Sequence, residues 1–486
     1  MSPLEAFKMS LKCPDILDSI QAGLIGNKAQ VQGPFGPRPL LYADYVASGR
    51  ALTQVEDFIH DQVLPYYANS HTQASYCGSF ITRLREAARA EIARMTGAAN
   101  GTSVVFAGSG STAGINRIVG LLDIAGIVAK GGRVIVIVGP YEHHSNLLPW
   151  RESGAQMVEI PEGPQGGPDM DVLANALQGA EGADLVVGTF SAASNVTGIK
   201  TEVDRVTRLL KQYGALAIWD YGCAAPYTYM DMHAGSDAAK DAIVFSPHKF
   251  PGGPGASGVM ILRDSITRIK TPTLPGGGTV NFVSPWGHSY SDKLCNREEG
   301  GTPNVIGDIR VALCMLVKEA MGQIWLDQRH ADLRARALVV WAQNPRIEVL
   351  GLPDTEALPI FSIRIRDGNG GYVHHQFFTR LLSDVYGVQA RGGCACAGPY
   401  AHRLLGLDAA QSDKMFAAIA RGEELEKPGW VRLNLSALLM DTKAEAIIEA
   451  VDKLALDAVK YQSDYWGDPA TAQFIPVIAV QKDIAI

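Results

Sequence analysis

An α/β fold built on a mainly parallel sheet is the class this sequence predicts, and three observations predict it. Between residues 103 and 262, short apolar runs alternate with stretches of helical periodicity. Strands joined through helices pair in parallel. Polar and Gly-rich residues gather where those runs end, at Gly108-Ser-Gly-Ser-Thr112, Ser194-Asn195, Asp220 and Ser246-Pro-His-Lys249. Such sheets take ligands at the carboxyl ends of their strands. Beyond Gly300-Gly-Thr-Pro-Asn304, strands and helices cluster again in a way that predicts a second, smaller α+β domain.

In chain order, residues 1 to 40 pair a short helical pattern with a turn-rich arm, Gly33-Pro-Phe-Gly-Pro-Arg-Pro39. Leu40 to Val46 reads as a strand and Gln54 to Val63 as a helix. Residues 79 to 96 combine strong helix formers with an apolar stripe at helical spacing. The strands expected next are Ser103–Ala107, Arg133–Gly139, Leu185–Thr189, Ala215–Trp219, Ala242–Phe245 and Gly258–Leu262. Helices are expected from the Gly108 loop through Leu122 and over Thr201–Tyr213. In the second domain, helices are expected over 306–321, 327–341, 373–386 and 444–461, with strands at 358–365 and 430–435. The tail after Tyr465 has no clear pattern.

Composition narrows the classes. The chain has 486 residues, 47% hydrophobic and 19% charged, enough apolar surface for more than one core. A net charge of −7 without a basic block argues against a nucleic-acid platform. No apolar run approaches the ~18 residues of a membrane helix. The N-terminal Met-Ser-Pro-Leu-Glu-Ala-Phe-Lys lacks the basic and apolar regions of a signal peptide, so a cytoplasmic location is expected. Seven scattered cysteines suit reduced thiols. There is no Cys-x-x-Cys, and the His pairs are adjacent rather than i, i+4, so no metal site is expected.

Several residues invite chemistry. Gly108 to Thr112 lies between a strand and a helix, where backbone N–H groups and two hydroxyls can cradle an anion. It matches neither a nucleotide P-loop nor Gly-x-Gly-x-x-Gly. Asp220, ending an apolar strand, is either a cap or the partner of a protonated ring nitrogen. His143 is either a core histidine or one that stacks on a planar group and moves protons. Lys249 follows a buried strand with a hydroxyl and an imidazole beside it, and is either a surface lysine on an ordinary strand-to-loop turn or one that forms a Schiff base with an aldehyde cofactor. Arg432 sits on an apolar strand and needs an anion, either a substrate carboxylate or an internal Asp or Glu.

Over roughly residues 40 to 455 the sequence resembles the class V aminotransferase group of fold-type I pyridoxal-phosphate enzymes, especially its cysteine desulfurase and selenocysteine lyase branch. The motifs are Gly110-Ser-Thr-Ala-Gly-Ile-Asn116, Glu142-His-His-Ser-Asn146, Ser194-Asn-Val-Thr-Gly198, Asp220, Ser246-Pro-His-Lys249, Gly301-Thr-Pro-Asn304 and Arg391-Gly-Gly-Cys-Ala-Cys396. The resemblance implies a mainly parallel seven-stranded large domain over 45–304. It implies an N-terminal arm and small C-terminal domain over 1–44 and 305–486.

It also implies pyridoxal 5'-phosphate as cofactor, with Lys249 as the Schiff-base lysine, Asp220 at the ring nitrogen and His143 stacked on the ring. Ser111, Thr112, Ser246 and His248 fall where the phosphate is held. Asn195 falls near the phenolic oxygen and the substrate carboxylate. Thr302 resembles a residue reaching a partner subunit's phosphate, which implies a homodimer. Arg432 matches the arginine that holds the carboxylate of an amino-acid substrate, with Arg391 a second one near it. Cys396 keeps the place of the catalytic cysteine, which implies C–S cleavage to alanine and a persulfide, and a possible sulfur-acceptor protein.

Two departures stand out. Cys223 replaces the glutamine usually found three residues after the aspartate, and both histidines before the catalytic cysteine are gone, Cys394 standing in place of one. Cys394 could accept sulfur, resolve a persulfide or simply fill space. A class V lyase, epimerase or aminotransferase that does not use Cys396 is the alternative.

Overall fold

The computed structural model describes residues 1–70 and 72–477. The chain divides into two compact units, one of Met1–Ile25, Ser48–Ser194 and Lys200–Trp325, the other of Gly26–Ala47, Asn195–Ile199 and Leu326–Ile486.

The first unit is organised on seven strands: β1 (Thr102–Gly108), β2 (Val134–Val138), β3 (Gln156–Glu159), β4 (Leu185–Ser191), β5 (Leu216–Asp220), β6 (Ala242–Phe245) and β7 (Gly258–Arg263). Their order across the sheet is β1-β7-β6-β5-β4-β2-β3. All neighbours pair in parallel except β7, which runs antiparallel to both β1 and β6. The β6–β7 link is a Gly- and Pro-rich loop with no crossover helix of the length a parallel return needs. β2 and β6 are buried at every position, as strands covered on both faces must be.

The helix Gly110–Leu121 packs Ile115, Ile118 and Leu121 into a core shared with Val105, Val136, Val187, Ile218, Val244 and Met260. Gly114 permits that approach, since a Cβ there would sit 2.8 Å from a Val244 methyl. The stretch Gly110–Ala129 is long and apolar enough, by length and composition, to cross a membrane, which corrects the sequence-based expectation. It is two helices, Gly110–Leu121 and Ile124–Ala129, broken at Asp123 with φ +52°. Both helices contribute apolar residues, Ile115, Ile118, Leu121 and Ile124 being buried.

The second unit has a five-stranded antiparallel sheet. Its strands are β8 (Ile347–Val349), β9 (Ile360–Arg366), β10 (Tyr372–Val373), β11 (Arg391–Gly393) and β12 (Trp430–Asn434). The order is β8-β9-β12-β11, with β10 on β9. Phe361, Ile363, Val431 and Leu433 meet Leu333, Trp341, Ile447 and Val451 from the helices Gln323–Trp341 and Asp441–Asp457. Trp341 and Phe361 touch edge to face, ring centres 4.9 Å apart.

The division differs from the expected one, beginning with residues 45–47, which fall in the second unit. The helix Val305–Met321 lies in the first unit, where most of its residues are buried against such partners as Tyr76–Met95. Residues 1–25 belong there as well. Asn195–Ile199 belongs to the second unit, where Ile199 bridges to Ala357 and Val196 accepts a hydrogen bond from Ser362.

The expected helix over 373–386 starts later, at His375, because Val373 is taken into the edge strand β10. Strand β3, the hairpin Val280–Ser284/Gly287–Tyr290 and the helices Met170–Gly179, Gly398–Leu405 and Ala409–Ala420 were not anticipated. The uninterpreted tail forms a small hairpin, Tyr465–Gly467 with Phe474–Pro476; its last residues, 478–486, lie outside the described ones.

Candidate active site

The first unit brings one group of predicted residues together. β5 ends at Asp220 and pairs with β6, whose end leads directly into Ser246, His248 and Lys249. Asp220 is buried and accepts a hydrogen bond of 2.6 Å from the Gly222 N–H. Burial pushes its pKa up, while that N–H, the charge of Lys249 and Ser111 pull it down. Burial and the neighbouring Lys249 charge depress the His248 pKa to about 4, so this imidazole is neutral at pH 7.

Beside them the helix Gly110–Leu121 presents its first turn. The Ser111 N–H donates to Ser246 Oγ at 2.9 Å, and the two hydroxyls lie 3.0 Å apart. Thr112 Oγ1 is 2.7 Å from Ser145 Oγ, which is 2.9 Å from His143 Nδ1. Hydroxyls, amide donors and the positive end of a helix dipole thus lie side by side, as an anion requires. Two glycines keep the space open. A Cβ on Gly110 would lie 2.8 Å from Ser246 Oγ, and one on Gly222 would lie 2.7 Å from Ser111 Oγ and 2.8 Å from Asp220 Oδ1.

A phosphate cradle, a buried carboxylate and a lysine, with an imidazole linked to the cradle through Ser145, form the donor set that pyridoxal phosphate requires, and these residues fit it. Cys223 is buried and directs its thiol to the Ser194 carbonyl at 3.7 Å. Thr302 is exposed, just before the helix that Asn304 caps.

Sequence reasoning missed Glu142, although it lies inside a quoted motif. Its buried carboxylate accepts from Asn146 Nδ2, Ser191 N–H and Ser191 Oγ at 2.5, 2.9 and 2.8 Å. Asn146 in turn takes hydrogen bonds from Trp150 and Thr189. Burial, with the Asp220 charge adding to it, outweighs those donors and raises the Glu142 pKa to about 7. The signal available was an acidic residue between an apolar strand and a His pair.

The second unit holds the remaining residues. The β11–β12 register sets Arg391 directly opposite Arg432, a like-charged cross-strand pair that is unfavourable without an anion. Asp44 supplies it. Oδ1 is 3.1 Å from Arg432 Nη2, and Oδ2 is 3.1 Å from Arg391 Nη2. The internal-carboxylate alternative for Arg432 is therefore realised, and two guanidinium groups share one carboxylate. Arg432 also donates to the Asn195 carbonyl at 3.3 Å.

Asn195 Nδ2 donates to the Ala395 carbonyl at 2.8 Å, while its buried Oδ1 accepts no hydrogen bond among the described residues. Ala395 and Cys396 have φ of +53° and +57°, and the Ala397 N–H returns to the Cys394 carbonyl at 3.2 Å. Two left-handed residues closed by that bond mark a type I′ turn, a conformation that costs non-glycine residues ~1–2 kcal/mol each. Cys396 is exposed and Cys394 half-buried.

The aminotransferase class-V family model matches residues 41–412. The chain belongs to the aminotransferase class-V family. Members similar to it include a cysteine desulfurase of Salmonella agona, 28% identical over 365 residues, covering 74% of this chain and 85% of that one. A cysteine desulfurase of Escherichia coli is 27% identical over the same length and shares of the two chains. Among solved structures, the apo cysteine desulfurase of Thermococcus onnurineus aligns with a TM-score of 0.70 at 22% identity, covering 86% of this chain and 95% of that one. An Escherichia coli cysteine desulfurase structure aligns at 0.68 and 22%, covering 91% and 98%. These two carry the fold: the same α/β architecture with its mostly parallel seven-stranded sheet. Class V members are pyridoxal-phosphate enzymes, so this chain is an enzyme of that kind.

Two predictions follow from this geometry. Asp44→Asn leaves two arginines facing each other. Breaking a buried pair costs ~3–5 kcal/mol elsewhere, and half-exposed Arg391 puts the expected loss in denaturant unfolding at the low end of that range. A loss below about 0.5 kcal/mol contradicts the clamp.

Glu142 predicts a pH dependence. Its folded pKa, about 7, lies above the unfolded 4.5, so the folded state binds more protons between those values. Stability from this group is present below about pH 4.5 and is lost as pH rises to 7. The loss is at most ~3 kcal/mol. His248 acts with the opposite sign between pH 4 and 6.5, so the wild-type-minus-Glu142→Gln difference isolates the carboxyl. A difference that stays flat across that range contradicts the assignment.

Proposed function

We propose that this enzyme is a cysteine desulfurase, cleaving the C–S bond of L-cysteine with pyridoxal phosphate and leaving sulfur on Cys396. The observation that carries the reading is that one chain holds both the Lys249–Asp220 cofactor cradle and an exposed thiol, Cys396, on a strained turn. The similarity to enzymes named cysteine desulfurase supports it.

When bound, pyridoxal phosphate supplies an electron sink for a carbanion at the substrate's α-carbon. Ser111, Thr112, Ser246 and His248 would hold its phosphate, and His143 would cover its ring. Asp220 would keep a proton at the ring nitrogen, a role for which its buried carboxylate must be ionised. Lys249 Nζ is the base for the substrate's α-proton. Arg391 and Arg432 present two positive charges against the single charge of Asp44, and the surplus suits a substrate carboxylate. With one Nδ2 hydrogen spent on Ala395, Asn195 keeps one N–H and Oδ1 for a ligand. The Cys396 thiolate attacks the substrate sulfur, and the C–S bond breaks.

Exposed Thr302 suits a contact with a second copy, making the active form a homodimer in this proposal. Seven free thiols suit a reducing, cytoplasmic location, and the sulfur would pass to an acceptor of thiol chemistry.

The test is product analysis. Wild type with L-cysteine and a reductant is expected to yield alanine and sulfide in equal amounts, and Cys396→Ala to bind cofactor yet lose alanine formation by at least about tenfold, a barrier change of ~1.4 kcal/mol or more. Pyruvate and ammonia from wild type, or undiminished alanine from Cys396→Ala, would replace this reading with a lyase.

A further inference from the structure

The persulfide reading leaves Cys394 without a task, and the loop gives it one. Resting on that reading, we propose that Cys394 is a resolving cysteine that releases the sulfur from Cys396 as hydrosulfide. The two thiols are two residues apart in one turn, closed by the Ala397 N–H on the Cys394 carbonyl at 3.2 Å. Two residues span at most ~7 Å when extended. Disulfides bridge Cα separations of ~4.4–6.8 Å, and the left-handed φ of Ala395 draws the two residues in from the extended limit. Ala395, between them, is pinned by Asn195 Nδ2 at 2.8 Å, so the turn is held from a second segment of the same unit.

Exposure assigns the two roles. Cys396 is exposed and Cys394 half-buried, so a sulfur donor arriving from solvent meets Cys396 first. Cys394 is two residues away in the same turn. Its position in the sequence, where the resembling desulfurases carry a histidine, replaces a group that cannot perform thiol exchange with one that can.

The step balances without an outside oxidant. The Cys394 thiolate attacks Sγ of persulfidated Cys396. The bond from Sγ to the terminal sulfur breaks, its electron pair leaves with that sulfur, and hydrosulfide departs. A Cys394–Cys396 disulfide forms, its Cys394 sulfur oxidised from the thiolate level while the terminal sulfur is reduced to sulfide. A dithiol then returns the pair to two thiols and is itself oxidised to a disulfide.

The experiment is anaerobic and omits reductant. The cofactor-loaded enzyme is given one equivalent of L-cysteine per subunit in one arm, so that no excess thiol remains, and one equivalent of inorganic polysulfide in the other, which loads sulfur on Cys396 without the amino-acid reaction. Wild type is expected to release about one hydrosulfide per subunit in each arm, and the peptide spanning 391–403 to lose the mass of two hydrogens. Cys394→Ser is expected to stall, with the extra sulfur retained on Cys396 and no hydrosulfide released. Retention of a persulfide on Cys396 in wild type, or its transfer to Cys394 without hydrosulfide release, overturns the proposal. Failure in the L-cysteine arm alone, with the polysulfide arm behaving as expected, overturns the desulfurase reading while upholding the resolving chemistry of Cys394.

Discussion

The burial of a carboxyl, Asp220, at the end of a central strand is the constraint on which the first unit's chemistry depends. Burial at the end of β5 raises the pKa of this carboxyl. The Gly222 N–H and the Lys249 ammonium oppose that tendency. Gly222 follows two residues after Asp220, and Lys249 is brought near because β5 and β6 are parallel neighbours in register, with Asp220 beside Val244. The register in turn rests on an apolar sheet buried on both faces, which no one-residue slip could satisfy. Sheet packing thus sets an electrostatic balance at the carboxyl end of its central strands.

The second unit solves a related problem differently. Its sheet forces two arginines opposite each other, and Asp44, delivered by the segment beside the Leu41–Tyr42 strand, neutralises only one of the two charges. The same unit stores strain at Ala395 and Cys396, held by Asn195. Residues in uncommon backbone conformations persist only where their surroundings hold them, and they cluster where chemistry happens.

Much of this was legible in the sequence because local patterns carried it. Val134–Val138 and Ala242–Phe245 are continuous apolar runs, and buried parallel strands must be so. Lys249 and Asp220 could be singled out because polar residues at strand ends have few structural reasons to be there. Strand β3 escaped because it is half-exposed and lacks an apolar run. The hairpin Val280–Ser284/Gly287–Tyr290 is largely exposed, with Trp286 at its tip, so burial imposes no alternation on it. Asp44 looked like a strand residue, and its partners lie some 350 positions away, beyond any local spacing rule. The domain boundary was misplaced near residue 305 because a Gly-Pro segment marks a turn whether or not the next helix returns to the same core.

The central claim is that Lys249 anchors the cofactor opposite Asp220, and covalent trapping tests it most directly. Borohydride reduction of the cofactor-loaded protein, followed by peptide mapping, should place the pyridoxyl adduct on Lys249, in the peptide that includes Ser246-Pro-His-Lys249. An adduct on any other lysine, or none on a protein shown to hold the cofactor, would contradict the account.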